Sequence, residues 1–140
     1  MQEKLLEITT FDGVGYKPLF DFDCWRVAFL RFIDELLPEN ITRAEKHLET
    51  DEVFVLLAGK AVLIIGSGDD EIIEMTPYVM EPYQLYNVKQ STWHNVVLSQ
   101  DATILLVENN NTNSGNSAYC ELSDEQRRFI HQVAQDGLSF

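Results

Sequence analysis

The sequence predicts an all-β protein, built as a sandwich or a closed barrel, with one helix near its C-terminal end. Three observations support this prediction: short β-rich segments recur along the chain, turn signals separate them, and no helical pattern intervenes before residue 123. Short strands without helices between them favour a sandwich or barrel over a parallel α/β sheet. A closed barrel also removes the exposed strand edges that promote aggregation.

The middle of the chain carries the clearest strand signals. Residues 52–58 are β-rich and almost wholly apolar, which predicts a strand buried on both faces. Gly59 supplies a tight turn, and residues 60–65 return as a second strand. The other predicted strands lie at 5–10, 25–32, 71–75, 79–88, 92–98 and 102–107.

Two C-terminal segments depart from the strand pattern. Residues 109–117 are polar and rich in asparagine, which predicts a flexible loop that builds no core. Ser123 is the predicted N-cap of a helix, and Gln126 completes a capping box with it. Apolar residues then recur at helical spacing, and Gly137 is the predicted stop. We therefore expect a short helix at about 123–136 on the outside of the barrel.

Length and charge restrict the class of protein. A chain of 140 residues predicts a single domain at 1–140, with a barrel core at about 25–108. The formal net charge is −13, from 10 Lys and Arg residues against 23 Asp and Glu residues. Because this field repels phosphate groups and anionic lipids, we expect no nucleic-acid partner and no membrane binding.

The N-terminus and the cysteines indicate a location. No stretch reaches the roughly 18 apolar residues that a membrane span requires. The first residues show no basic segment followed by an apolar one, so the sequence predicts no signal peptide. Cys24 and Cys120 are far apart and lack metal-ligand spacing. We expect them to be reduced thiols in a cytoplasmic protein.

Two of the three histidines lie beside carboxylates in predicted strands. Residues two apart on a strand share a face, so Glu45 and His47 point the same way. Glu52 opens the next strand and can face the same space, and His94 lies in the strand at 92–98. Two imidazoles and two carboxylates form a donor set that suits Zn, Ni, Fe or Mn. The alternative is that each histidine is a hydrogen-bonded structural residue.

The two carboxylates themselves favour a bound cation. If Glu45 and Glu52 were both ionised in an empty pocket, two like charges would share a desolvated space. A divalent cation would resolve this conflict most directly. The competing resolution is an arginine or lysine that reaches in from a neighbouring strand.

Three further residues are candidates for substrate binding. Arg26 lies in an apolar predicted strand, where a buried guanidinium needs an anion from a partner side chain or from a ligand. A structural salt bridge is the alternative in such an acidic protein. Tyr86 and Lys89 lie near the strand of His94, where they can contact a ligand or form part of the rim.

The spacing of the candidate ligands resembles that of a known family. The pattern Glu45-x-His47-x4-Glu52-x6-Gly59 is similar to the first cupin motif, which runs His-x-His, three or four residues, Glu, six residues, Gly. Glu45 replaces the first histidine of the family. His94 matches the histidine of the second motif. The resemblance implies a cupin double-stranded β-helix, or jelly-roll barrel, often dimeric, with a pocket at its mouth.

A narrower likeness is to the ureidoglycolate lyase branch of cupins. Residues 45–54 are similar to that branch's pattern of Glu-Arg-His-Pro followed by Thr, Gln and Phe, and residues 86–94 have a similar ending. The likeness implies a carbon–nitrogen lyase that releases urea from ureidoglycolate and gives glyoxylate. Glu52 stands where the branch has glutamine, so the identity of the substrate stays open.

These features support two functions from different classes. The first is an enzyme that acts on a small polar, carboxylate-bearing metabolite. In it a divalent transition metal held by His47, His94 and carboxylates polarises a carbonyl or hydroxyl group, and Glu45, if uncoordinated, is the general base. The second is a non-catalytic cupin that binds a sugar or an acid. The outer apolar face of residues 52–58 must be covered by N-terminal strands, by the C-terminal helix or by a partner, and in the last case either protein would be a homodimer.

Overall fold

The computed structural model describes residues 5–138 of the chain. These residues form ten β-strands, one α-helix and three short 3-10 helices. The strands are β1 (Gly15–Phe22), β2 (Trp25–Arg31), β3 (Arg43–His47), β4 (Glu52–Ala58), β5 (Ala61–Ser67), β6 (Glu74–Val79), β7 (Leu85–Val88), β8 (Trp93–Leu98), β9 (Thr103–Asn109) and β10 (Ser117–Glu121). The α-helix is α1 (Asp124–Leu138), and the 3-10 helices are Asp34–Leu36, Pro38–Asn40 and Ser114–Asn116.

The strands form two five-stranded antiparallel sheets. The first sheet has the order β1-β2-β9-β4-β7, and the second has the order β10-β3-β8-β5-β6. Strands distant in sequence are therefore neighbours, as where β3 pairs with both β8 and β10. The two sheets face each other around a shared core, which confirms the predicted all-β jelly-roll barrel with a C-terminal helix.

Alternation along the strands fills the space between the sheets. On β4, Phe54 and Leu56 are buried in the core, whereas Val53 and Val55 on the opposite face are half-buried. The main buried apolar residues between the sheets are Ala28, Phe54, Leu56, Ala61, Leu63, Met80, Val88, Val96, Leu98, Ala102, Ile104 and Leu106. Burying each large side chain of this kind stabilises the fold by about 1.5–3 kcal/mol.

The helix α1 covers the outer face of the second sheet, as expected. Its Ile130 and Val133 pack in a second apolar cluster with Val62 of β5. The predicted capping box is present: the Gln126 amide donates to Ser123 Oγ at 3.1 Å, and the Ser123 amide donates to Gln126 Oε1 at 2.9 Å. Among the described residues, no helix is long and apolar enough to cross a membrane.

The role predicted for Gly137 is wrong. The helix includes Gly137 and continues to Leu138, so this glycine is no stop signal. A Cβ atom at Gly137 would collide with Val62 of β5. The glycine therefore allows the last turn of the helix to approach the sheet closely.

Three strand predictions are also wrong. The strand predicted at 71–75 begins only at residue 74 and continues to residue 79 as β6. Residues 5–10 form no strand, because they lie exposed and pair with no neighbouring strand. The predicted strand 79–88 is divided between the end of β6 and β7. Pro82 cannot donate a ladder hydrogen bond, and Tyr83 adopts a positive φ of 65°, so the chain turns between them.

The sheets extend beyond the expected core at 25–108. The strand β1 forms one edge of the first sheet, and β10 forms one edge of the second. The asparagine-rich segment 109–117 is a hydrogen-bonded turn rather than a featureless loop. In it, Asn113 Oδ1 accepts from the Gly115 amide at 2.7 Å, and Asn116 Oδ1 accepts from the Asn113 amide at 2.9 Å.

Candidate metal and substrate site

A cavity of about 570 Å³ lies between the two sheets. Part of its lining is apolar and comes from the same strand faces that fill the core. The charged and aromatic residues of the lining are Tyr16, Arg26, Glu35, Arg43, Glu45, His47, Glu52, Phe54, His94, Glu108 and Tyr119. A pocket of this size and mixed character is typical of a small-molecule site.

The four predicted metal ligands all line this cavity. Glu45 and His47 lie two residues apart on β3, and Glu52 is the first residue of β4. His94 on β8 is the direct cross-strand partner of Glu45. His47, Glu52 and His94 are buried, whereas the Glu45 side chain is 42 % exposed. Strand alternation and the β3–β8 pairing therefore bring the four side chains together.

The spacing of their polar atoms suits a single cation. Glu52 Oε1 lies 3.2 Å from His47 Nε2 and 3.3 Å from His94 Nε2. Glu45 Oε1 lies 3.9 Å from each of the same two nitrogens. Ligands that surround a Zn²⁺ ion tetrahedrally at about 2.0–2.1 Å lie about 3.3 Å from one another. The observed separations of 3.2–3.9 Å are close to this value.

Hydrogen bonds fix the orientation of both imidazoles. His94 Nδ1 donates to the Thr92 carbonyl oxygen at 3.0 Å, since a carbonyl can only accept. The Ser117 hydroxyl donates to the Asn113 carbonyl at 2.8 Å, so its oxygen accepts from His47 Nδ1 at 2.9 Å. With Nδ1 protonated in each ring, Nε2 carries the lone pair in the neutral form. Such partners at Nδ1 are typical of histidines that ligate a metal through Nε2.

One buried nitrogen supports a ligand directly. His94 Nε2 is inaccessible to solvent, and among the described residues its one near neighbour, Glu52 Oε1 at 3.3 Å, is poorly aligned for a hydrogen bond. A buried polar atom of this kind costs stability unless something satisfies it. A cation bound by Glu45, His47 and His94, whose ligand atoms all lie within 4.8 Å of one another, would satisfy it, so this donor set fits a divalent transition metal.

The charges of the site are strongly linked. Burial alone would raise the pKa of Glu52, but its contacts with His47 and His94 outweigh burial and hold this pKa well below its usual range. Burial lowers the pKa of each imidazole, and contact with Glu52 outweighs it and raises both. Without a cation, these shifts favour protonated imidazoles beside an ionised Glu52. A divalent cation would take the place of these protons.

The structure adds Glu108 and Tyr16, which sequence reasoning missed. Glu108 lies on β9, is buried, and accepts a hydrogen bond from the Tyr16 hydroxyl at 2.7 Å. Its carboxylate and the polar atoms of His47 and Glu52 all lie within 4.8 Å of one another. Burial and the neighbouring Glu52 charge raise the pKa of Glu108. The alternating pattern of the sequence could have predicted the inward position of Glu108. Ile104, Leu106 and Glu108 share one face of β9, but the predicted strand ended at residue 107.

The predicted substrate-binding residues divide into two groups. Arg26 lines the cavity, but its guanidinium is already engaged: Nε donates to Asp21 at 3.2 Å and Nη2 to the Asn110 carbonyl at 2.7 Å. Tyr86 and Lys89 do not line this cavity and contribute instead to a separate pocket of about 360 Å³. Lys89 is paired there with Asp51 at 2.8 Å. Tyr86 and Lys89 lie away from the cavity of His47 and His94, because Tyr86 is on β7, which forms one edge of the first sheet, and Lys89 directly follows this strand.

Several solved structures share this fold. CapF from Staphylococcus aureus, a capsular polysaccharide assembling protein, aligns with 82 % of this chain at 16 % identity and a TM-score of 0.58. Pac13, a nucleoside dehydratase, aligns with 82 % of this chain at 13 % identity and a TM-score of 0.55. Hydroquinone 1,2-dioxygenase from Sphingomonas sp. TTNP3 aligns with 72 % of this chain at 10 % identity and a TM-score of 0.56. The aligned part is 34 % of CapF, 86 % of Pac13 and 70 % of the dioxygenase.

These likenesses establish the fold alone. Identities of 10–16 % leave activity and ligands open. No family model and no curated protein matches the sequence. The jelly-roll barrel implied by the cupin resemblance is confirmed, and the narrower likeness to ureidoglycolate lyases stays a proposal.

Proposed function

We propose that the cavity is the active site of a cupin-type enzyme that uses a divalent transition metal (Zn, Ni, Fe or Mn) to act on a small polar, carboxylate-bearing metabolite. One observation carries the proposal. The Nε2 atoms of His47 and His94, each oriented through Nδ1, converge on the buried carboxylate of Glu52. When bound, such a cation supplies Lewis-acid polarisation of a carbonyl or hydroxyl oxygen.

The two motif carboxylates have different environments, which supports different roles. Glu52 is almost completely buried between the two imidazoles, so we assign it as a permanent ligand of the cation. Glu45 is more distant from both imidazoles and partly exposed to the cavity mouth. A carboxylate in this position can exchange protons with a bound molecule, so Glu45 is the general base when it does not coordinate the cation.

The finer proposal is a carbon–nitrogen lyase reaction of the ureidoglycolate type. It is supported by the resemblance of residues 45–54 to that branch of cupins. Glu45 removes the proton of the substrate hydroxyl, and the carbonyl of glyoxylate forms as the carbon–nitrogen bond breaks. The departing urea nitrogen takes this proton back from Glu45, which balances the reaction. The reaction consumes no water and needs no oxidant or reductant.

A metal-binding experiment tests the proposal. The protein is purified, stripped with a chelator and reconstituted separately with Zn²⁺, Ni²⁺, Fe²⁺ and Mn²⁺, and its metal content is measured. We expect close to one equivalent for wild type and loss of binding in His47→Ala. The matched control is His131→Ala, which removes an exposed helix imidazole and should leave metal content unchanged.

The activity assay then separates the enzyme from a binding module. Metal-loaded protein is incubated with ureidoglycolate, and glyoxylate is measured in wild type and in Glu45→Gln. Release of glyoxylate that depends on Glu45 supports the lyase. Metal binding without turnover of this substrate would contradict the lyase reaction. Less than a tenth of an equivalent of every metal would contradict the metal-dependent enzyme and favour a metal-free binding cupin.

We also propose that the protein is a homodimer. The outer face of the first sheet carries an apolar row across four strands, in which Phe29, Leu105, Val55 and Leu85 are consecutive cross-strand partners. The helix α1 covers the other sheet, and β1 extends the first sheet instead of covering it. Leu85 is 71 % exposed, so the row continues to the sheet edge. A second copy of the chain would bury this face.

Light scattering tests the dimer. We expect twice the chain mass for wild type and a monomer for Val55→Asp, which places a charge in the middle of the row. The control Ile73→Asp adds a charge at an isoleucine that is 83 % exposed and should leave the dimer intact. A wild-type protein that stays monomeric at every practical concentration would contradict the proposal.

A further inference from the structure

The inward face of β3 carries Arg43 in addition to the candidate metal ligands Glu45 and His47. Arg43, Glu45 and His47 alternate along this strand, so their side chains share the face that lines the cavity. Residues two apart on a strand are separated by about 7 Å. The strand therefore places a guanidinium, a carboxylate and an imidazole in order from the exposed end of the cavity to its buried end.

The environment of Arg43 leaves its guanidinium available. Its Cζ lies 3.9 Å from the ring centroid of Tyr119, which faces the cavity from β10. An arginine that stacks on an aromatic ring keeps its in-plane N–H groups free to donate. Among the described residues, no carboxylate lies within ion-pair distance of Arg43.

Arg26, the other arginine of the cavity, is the contrasting case. Its guanidinium contacts Asp21 at 3.2 Å, the Tyr16 hydroxyl at 3.4 Å and the Asn110 carbonyl at 2.7 Å. These three contacts occupy most of the N–H donors of the Arg26 guanidinium. Arg26 therefore holds β1, β2 and the turn after β9 together, whereas Arg43 has donors that no carboxylate occupies.

The surroundings of Arg43 also favour a polar ligand. Asn95 donates through Nδ2 to the Arg43 carbonyl oxygen at 2.9 Å, which fixes the backbone at this position. Asn40 and Thr42 line the cavity beside them. This group of neutral donors and acceptors around a free guanidinium matches a carboxylate neighboured by a hydrogen-bond donor.

We propose that Arg43, held against Tyr119, binds the carboxylate of the substrate at the mouth of the cavity. This inference rests on the proposed function, and it assigns the substrate class to molecules with two polar ends. One end carries the group directed at Glu45 and the imidazoles, and the other end is a carboxylate that accepts two N–H bonds from the guanidinium. Arg43, not Arg26, is then the residue that selects an anionic substrate.

Binding of dicarboxylates and their monoamides tests the inference. Malonate, succinate and glutarate are titrated into Zn²⁺-loaded protein by calorimetry, each beside its monoamide, in which one carboxylate is neutral. For the length that fits, we expect wild type to bind the dicarboxylate about tenfold more tightly than the monoamide. In Arg43→Gln this preference should fall below threefold. Tyr119→Phe keeps the ring and should keep the preference.

Two arginine variants serve as comparisons. Arg128→Gln removes an exposed positive charge on α1 and should retain the tenfold preference. If Arg43→Gln retains the preference, if Arg26→Gln alone removes it, or if wild type has none, the inference is overturned. Zn²⁺ content is measured for every variant. Loss of Zn²⁺ binding in wild type would contradict the proposed function, whereas normal Zn²⁺ binding without a role for Arg43 would overturn only this inference.

Discussion

The interior of the barrel has two ends that differ in chemistry although the same strands build them. On β4, the inward series runs from Glu52 to Phe54 and Leu56, and on β9 it runs from Ile104 to Glu108. All six residues, with Leu106 between Ile104 and Glu108, are buried, but one end of each series is charged. The apolar end of each strand stabilises the fold by leaving water, whereas the charged end carries a desolvation cost that its ion pairs must offset.

This difference separates stability from function. Apolar side chains at the packed end stabilise by leaving water, and their contribution depends little on pH or ligands. Buried charges at the other end stabilise only when each has a partner. We therefore expect mutations at the two ends to affect different measurements, and the following predictions are ordered from the largest expected effect to the smallest.

Truncation at the packed end should cause the largest loss of stability. Leu56→Ala and Ile104→Ala each leave a cavity among fully buried side chains and should lower the free energy of unfolding by about 2–5 kcal/mol. Urea denaturation measures this loss. The fraction that remains folded should still bind one equivalent of metal. A loss below about 1 kcal/mol, or a folded fraction without metal affinity, would contradict the separation of the two ends.

The two motif carboxylates should differ sharply from each other. Glu52→Gln removes the buried partner of both imidazoles, so we expect it to destabilise the metal-free protein by about 3 kcal/mol and to abolish metal binding. Glu45→Gln changes a partly exposed group and should cost less than about 1 kcal/mol, with weaker metal binding rather than none. Thermal denaturation and calorimetric titration with Zn²⁺ measure both effects. Equal effects of the two variants would contradict their assigned roles.

The metal-free protein should lose stability as the pH rises. The pKa values of His47 and His94 are raised, so their contribution is complete below about pH 6.5 and is lost as the pH rises through the folded-state values. The lowered pKa of Glu52 makes its contribution complete above about pH 4.3 and lost as the pH falls further. Stability should therefore be highest between about pH 4.3 and 6.5.

Metal should reverse this trend. Cation binding requires neutral imidazoles, so the increase in melting temperature on adding Zn²⁺ should be larger at pH 8 than at pH 6. Melting curves with and without Zn²⁺ across this range provide the measurement. An equal increase at both pH values would show that the cation does not displace protons from His47 and His94.

The smallest predicted effect concerns Glu108. Its raised pKa means that ionisation of Glu108 beside Glu52 opposes folding, so Glu108→Gln should stabilise the metal-free protein by about 1 kcal/mol at pH 8. At pH 5 the carboxyl is protonated, and the glutamine should have almost no effect. The Tyr16 hydroxyl can still donate to the amide oxygen. Urea denaturation at both pH values measures the difference, and destabilisation at pH 8 would contradict the like-charge conflict.

Strand alternation explains which residues could be predicted from the sequence. Glu45 and His47 follow the parity of one short strand, and the spacing to Glu52 and Gly59 is fixed by one turn and one strand. Such local relations survive folding unchanged. They placed Glu45, His47 and Glu52 without knowledge of which strands pair, whereas His94 was added from its match to the second cupin motif.

The missed residues depend on distant pairing. Tyr16 lies on β1, which contains Pro18 and an irregular register, so its strand signal is weak. Its contact with Glu108 joins residues 92 positions apart. The availability of Arg43 depends on the pairing of β3 with β10, which brings Tyr119 to it across the asparagine-rich turn. No local pattern specifies these relations.

The orientation of the two imidazoles is the central claim, and nitrogen NMR tests it most directly. The ¹⁵N resonances of the rings are assigned with His47→Ala and His94→Ala and followed during titration with Zn²⁺, which is diamagnetic. We predict that Nε2 of both rings shifts together at one equivalent, while Nδ1 of both rings stays protonated. A response from only one ring, or coordination through Nδ1, would contradict the account.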